Sequence, residues 1–132
     1  MAYRLERASN ATIELEVGNE TLIIPITGMS LYKKVLEAQG RLREVQAKIE
    51  TLAKNKVEIT QELIQYLGET VLYLFGVAFG KENTDKILAF YEGNYDEMLL
   101  KVYPFFINEY LPELKENAKA ESRNYAKQLA GN

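Results

Sequence analysis

The 132-residue chain contains no cysteine and no histidine. Without cysteine there is neither a disulfide framework nor a thiolate metal site. Without histidine it lacks the commonest general base, the commonest metal ligand and the one side chain that titrates unperturbed near neutral pH. Catalysis or metal binding would have to rest on carboxylates, Lys, Tyr or Ser alone. Long apolar runs are absent as well. Residues 63–80 form the most apolar stretch, but Gln65 and Glu69 interrupt it. Its clean part, residues 70–80, falls short of the roughly 20 apolar residues that a bilayer span needs, so it reads as a buried core helix and no membrane association is expected. The first seven residues hold no apolar h-region, so no signal peptide is expected. The Asn-X-Thr sequons at Asn10 and Asn19 then carry no meaning.

What is present is ordinary for a globular chain of one domain: 47% apolar and 27% charged residues, enough to build a core without staples. Charge is uneven. Residues 1–56 carry 9 basic and 7 acidic side chains, and residues 57–132 carry 7 and 12. Neither half has the strong basic patch of a nucleic-acid surface.

The first ordered signal is a hairpin within residues 1–28. Ile13, Leu15 and Val17 alternate with Thr12, Glu14 and Glu16, the period-two pattern of a half-buried strand. Gly18-Asn19 fits a two-residue type II′ turn, and Leu22, Ile24 and Ile26 return on the same face. A closing pair Val17–Glu20 sets Leu15 opposite Leu22 and Ile13 opposite Ile24. Pro25 marks its strand as an edge. Tyr3 and Leu5, alternating with Arg4 and Glu6, suggest a third strand. Two strands alone are marginal in water, so the Leu22/Ile24 face packs on helices or on another chain.

Residues 29–114 read as a helical core. Ser30 is a candidate N-cap for a long first helix with apolar positions Leu31, Val35, Ala38, Leu42, Val45, Ile49 and Leu52, a heptad seam. Lys34, Arg41 and Lys48 fall on one flank of it, which an acidic helix would match. Asn55-Lys56-Val57-Glu58 has the form of a capping box and would start such a helix. Folding back antiparallel near Asn55 would bring Lys48 to Glu62 and Arg41 to Glu69; a continuous rod over residues 30–79 is the rival. Gly80 ends the second helix, Asn83 or Thr84 caps a short third, and Asn94-Tyr95-Asp96-Glu97 starts the last helical region. Pro104 and Pro112 should kink or divide that region. Residues 115–132 are polar, with Tyr125 and Leu129 the large apolar groups, and read as a solvated helix that frays or orders on a partner. The expected fold is α+β, mainly α: a hairpin of two or three strands on a bundle of four or five helices with a long antiparallel pair.

Few residues invite chemistry. Gly76-Val77-Ala78-Phe79-Gly80-Lys81 resembles a phosphate loop but fails it. Its glycines are one residue too close, Glu82 stands where Ser or Thr should hold Mg²⁺, and it ends a helix instead of following a strand. Glu58 with Glu62, Asp96 with Glu97, and Glu113 with Glu116 could form carboxylate pairs, yet each fits an exposed helix face or first turn. No catalytic residue, metal ligand or cofactor site is expected. Nine Tyr and five Phe occur without Trp, many between Tyr66 and Tyr110. Tyr91, Tyr95, Tyr103, Phe106 and Tyr110 either form a protein interface or pack as core rings, and Tyr125 in the tail is a further interface candidate.

The run Leu74-Phe75-Gly76-Val77-Ala78-Phe79-Gly80-Lys81-Glu82-Asn83-Thr84-Asp85-Lys86-Ile87 leads to Tyr91, then to Asn94-Tyr95-Asp96-Glu97-Met98 and Pro104-Phe105-Phe106-Ile107. This pattern resembles small tail-region proteins of siphophages and prophages of Gram-positive bacteria, particularly tail assembly chaperones, over about residues 57–127. The resemblance implies a largely helical, non-enzymatic protein of the bacterial host cytoplasm that coats the tape measure protein and recruits tail-tube subunits. Self-association into a homo-oligomer would suit that role. Two alternatives stand beside it. One is a structural subunit of a phage tail or particle. The other is a DNA-binding regulator using the net-basic first helix, with Lys33, Lys34, Arg41, Arg43, Lys48, Lys54 and Lys56 against Glu37, Glu44 and Glu50.

Overall fold

The computed structural model describes residues 11–131. A hairpin of β1 (Thr12–Val17) and β2 (Glu20–Pro25) leads into five helices: α1 (Met29–Lys54), α2 (Gln61–Phe79), α3 (Lys81–Phe90), α4 (Tyr95–Phe105) and α5 (Leu111–Ala130). A π turn, Phe106–Tyr110, joins α4 to α5. The fold is α+β, mainly α, with the hairpin packed on the helices. The strand expected around Tyr3–Glu6 lies outside the described residues.

The hairpin register is Val17↔Glu20, Leu15↔Leu22 and Ile13↔Ile24, as the alternation requires. Gly18 takes φ +62° while Asn19 stays out of positive φ, the combination a type II′ turn needs. Counting from the closing pair, Leu15–Leu22 and Ile13–Ile24 are hydrogen-bonded pairs, and Ile26 N–H extends the ladder to the Ala11 carbonyl at 3.0 Å. Thr12–Pro25 is then a non-hydrogen-bonded pair, so Pro25 removes only an outward donor and costs no ladder bond. Leu22, Ile24 and Ile26 are fully buried against the helices.

The turn out of β2 needs φ +109° at Gly28, a conformation that glycine adopts at little cost. Helix α1 therefore begins directly after it, at Met29, and Ser30 is not its cap. The free Met29 amide donates instead to Glu121 Oε2 of α5 at 3.1 Å. Of the heptad seam, Val35, Ala38, Leu42 and Val45 are buried, and Leu31, Ile49 and Leu52 partly so.

The chain folds back after α1; the continuous rod does not form. Asn55 is the C-cap of α1 and not the start of α2. Lys56 turns left-handed at φ +56°. Its N–H reaches the Ala53 carbonyl at 3.1 Å, and Val57 N–H reaches Leu52 at 2.9 Å, a Schellman stop. The N-cap of α2 is Thr60, whose hydroxyl accepts from Leu63 N–H at 3.2 Å. Helices α1 and α2 then lie antiparallel, but the expected ion pairs Lys48–Glu62 and Arg41–Glu69 do not form. Arg41 sits over the Tyr73 ring instead, 5.0 Å from its centroid. Among the described residues the ion pairs are Lys86–Glu20, Lys86–Glu82 and Lys81–Asp85.

Gly80, at φ +89°, both ends α2 and caps α3. Asn83 and Thr84 do not start α3; their side chains bond carbonyls around the junction of α2 and α3. Asn83 Nδ2 donates to Phe79 O at 2.9 Å and to Ile23 O of β2 at 3.0 Å, and the Thr84 hydroxyl donates to Gly80 O at 2.8 Å. Asn94 caps α4 through Glu97 N–H at 3.2 Å, as its motif predicts.

Pro104 and Pro112 bracket the π turn, in which Leu111 N–H reaches back to the Phe106 carbonyl. Met98, Val102, Phe106, Tyr110, Leu114 and Ala118 are all buried. In a regular α-helix a spacing of four overshoots each turn by about 40°, so such a stripe would drift off the core. The wider π turn corrects that drift midway. The rings it delivers form the centre of the core: Phe106 stacks on Tyr110 at 5.5 Å, and Tyr110 meets Phe79 edge-on at 5.2 Å.

Candidate protein-binding surface

The eight residues expected at an interface separate into three groups. Leu22, Ile24, Phe106 and Tyr110 are buried within the chain's own core and present nothing to a partner. For Leu22 and Ile24 the cause is the hairpin docking on the helices; for Phe106 and Tyr110 it is the π turn. Burial raises the Tyr110 hydroxyl well above its ordinary range, and the group donates to the Ala78 carbonyl at 2.9 Å. That carbonyl is one of the last four of α2, which lack helical donors.

Tyr91 and Tyr103 are half-buried. Burial, and then the negative charge of Glu97, raise the Tyr91 hydroxyl, and its ring meets Phe90 edge-on at 5.0 Å. The Tyr103 hydroxyl accepts from Gln39 Nε2 at 3.3 Å, the contact that lets an amide sit buried in α1. Both act as wall rather than as free surface.

Tyr95 and Tyr125 are exposed. Tyr95 opens α4 and lies against Gly68 of α2, where a Cβ would stand only 3.1 Å from its ring. Glycine at 68 is thus what lets the first turn of α4 approach α2. Tyr125 and Leu129 sit on the face of α5 that Leu114 and Ala118 bury further back, and at 59% and 70% exposure they carry that apolar face into solvent. The polar tail expected from residue 115 is docked over its first part. Asn117 Nδ2 donates to Ile26 O at 2.9 Å, Ala118 is buried, and Glu121 caps α1.

A further exposed aromatic surface among the described residues is one that the sequence pattern did not single out. Tyr66 and Tyr73 stand two turns apart on α2, each about half exposed. With Arg41, Glu69 and Thr70 they line a shallow cleft of about 120 Å³ between α1 and α2. Ile64 and Val57 are also half exposed, but Ile64 lies two residues from Tyr66 and so on another face of α2. The available signal was the seven-residue spacing of the tyrosines beside the seam. A ring with a guanidinium over its face, half in and half out of water, suits protein recognition: Tyr and Arg are among the residues over-represented at binding hot spots.

Among the described residues no three acidic side chains converge as metal ligands. Among them, too, no helix is long and apolar enough to cross a membrane. Comparison with protein-family models, curated proteins and solved structures gives no match.

Proposed function

We propose that this chain is a non-enzymatic protein-binding protein that serves as a phage tail assembly chaperone, holding the tape measure protein and tail-tube subunits in the bacterial host cytoplasm. The observation that carries the reading is the half-exposed Tyr66–Arg41–Tyr73 surface of the α1–α2 pair. Such a surface lies outside the core and keeps amphipathic rings at the boundary with water, where a partner can cover them. The continuing apolar face at Tyr125 and Leu129 gives a second place for a partner helix. The likeness of residues 57–127 to tail-region proteins supplies the partner class.

The test is co-expression with the tail proteins encoded beside it, followed by molar mass from light scattering and by mass spectrometry of finished particles. A stable complex with the tape measure or tube protein, absent from finished particles, is the expected result. Retention in the particle would make the chain a structural subunit instead. Capture of neither protein would end the tail reading.

A further inference from the structure

The two edges of the hairpin differ. On β2 the outer edge is partly closed: Pro25 has no N–H to offer, the Ile23 carbonyl takes the Asn83 amide at 3.0 Å, and Lys86 of α3 pairs with Glu20 at 2.8 Å beside it. On β1 the register turns the backbone N–H and C=O of Thr12, Glu14 and Glu16 outward, because these residues belong to the non-hydrogen-bonded pairs. Among the described residues nothing bonds to those groups. An open edge of this kind is a template for another strand.

Beside that edge runs a groove of about 300 Å³. Ile13, Leu15 and Phe105 floor it, and Glu14, Glu16, Glu109 and Glu113 rim it. None of the four glutamates makes an ion pair with a described residue. The inward side chains of β1 are also only partly buried, whereas those of β2 are fully buried, so β1 still has apolar area to cover.

We propose that β1 accepts an extended segment of a partner protein by strand addition, and that this segment alternates apolar with basic side chains. Main-chain bonds to residues 12, 14 and 16 would set its register. Its inward side chains would cover Ile13, Leu15 and Phe105. Its outward lysines or arginines would stand directly across from Glu14 and Glu16, where opposite charges at cross-strand distance are favourable. Basic groups at its end would meet Glu109 and Glu113. The site is on the hairpin and uses none of the Tyr66–Tyr73 surface, so either can fail without the other.

The test uses the full chain and a short fluorescent peptide alternating valine and lysine, read by anisotropy. Three comparisons accompany it: a valine–glutamate peptide, a valine–lysine peptide N-methylated along one edge, and the chain carrying Glu14→Lys with Glu16→Lys. The basic peptide is expected to bind, and the acidic one is not. N-methylation, which leaves every charge in place, should weaken binding about tenfold or more by removing main-chain bonds, as should the double substitution. Hydrogen exchange at Thr12, Glu14 and Glu16 should be open in the free chain and slowed by the peptide. Indifference to N-methylation would reduce the effect to charge attraction and overturn the proposal. Amides already protected in the free chain would overturn it too, since the chain itself would then fill the edge.

Discussion

The two halves of α2 lead different lives. Residues 71–79 bury Val71, Leu74, Phe75, Ala78 and Phe79 among β2, the π turn and α1, whereas residues 61–70 bury only Gly68 and Thr70. Helix α1 mirrors this: its buried residues run from Val35 to Val45, and none follows. One end of the antiparallel pair is therefore a shared core of several elements. The other is two helices leaning on each other with Ile64, Tyr66 and Val57 half in water. Burial is concentrated where many elements meet, and half-exposed apolar surface is left where few do.

The sharpest way to break this contrast is at the closed end. Phe79→Ala removes a ring stacked on Phe75 at 5.1 Å and edge-on to Tyr110. It should cost about 3–5 kcal/mol in urea unfolding; a loss near that of a surface change would mean the rings are not the centre of the core. The next largest effect concerns α5. Truncation after Glu116 removes the Asn117 bond to Ile26, buried Ala118 and the Glu121 cap of α1, and should cost about 2 kcal/mol. Truncation after Gln128 spares all three and should leave the melting temperature within a degree or two. Equal effects from the two cuts would erase the boundary drawn between docked and exposed parts of the helix.

Tyr110→Phe should cost about 1 kcal/mol by leaving the Ala78 carbonyl without its donor. Because burial raises the Tyr110 hydroxyl above its unfolded value, its contribution is complete below about pH 10 and is lost as pH rises beyond that. Alkaline melts of the wild type should therefore fall more steeply than those of the Phe variant. The smallest stability effect is expected at the open end. Tyr66→Ala and Tyr73→Ala should each change unfolding by less than about 1 kcal/mol. Together they should weaken capture of the tape measure protein by at least 2 kcal/mol if these rings are anchors.

Much of the fold was legible in the chain because its signals are local. The alternation of Ile13, Leu15 and Val17 with a Gly18-Asn19 turn leaves one register in which the apolar side chains share a face. The seam of α1 and the Asn94 cap are likewise short-range patterns. Caps with two readings were not legible. Asn55 suits a helix stop as well as a start, and the left-handed Lys56 decides for the stop. Ser30 lost its role because a glycine two residues earlier already makes the turn. The π turn was hidden for a different reason. Two prolines say that a helix is disturbed but not in which direction, although the unbroken spacing of four from Met98 to Ala118 required a correction of the helical period. The sorting of aromatics into core and surface was the least accessible. Tyr110 and Tyr125 are the same side chain about four turns apart along one helical rod, and only what packs against them tells them apart.

In the proposed role the chain holds itself together at one end and its partner at the other. The most direct measurement is residue-resolved hydrogen exchange of the full chain, free and bound to the tape measure protein. Slowed exchange across residues 61–73, with residues 74–79 and 102–114 already protected and unchanged, is the predicted result. Slowing confined to the core end, or none anywhere in α1 and α2, would contradict it.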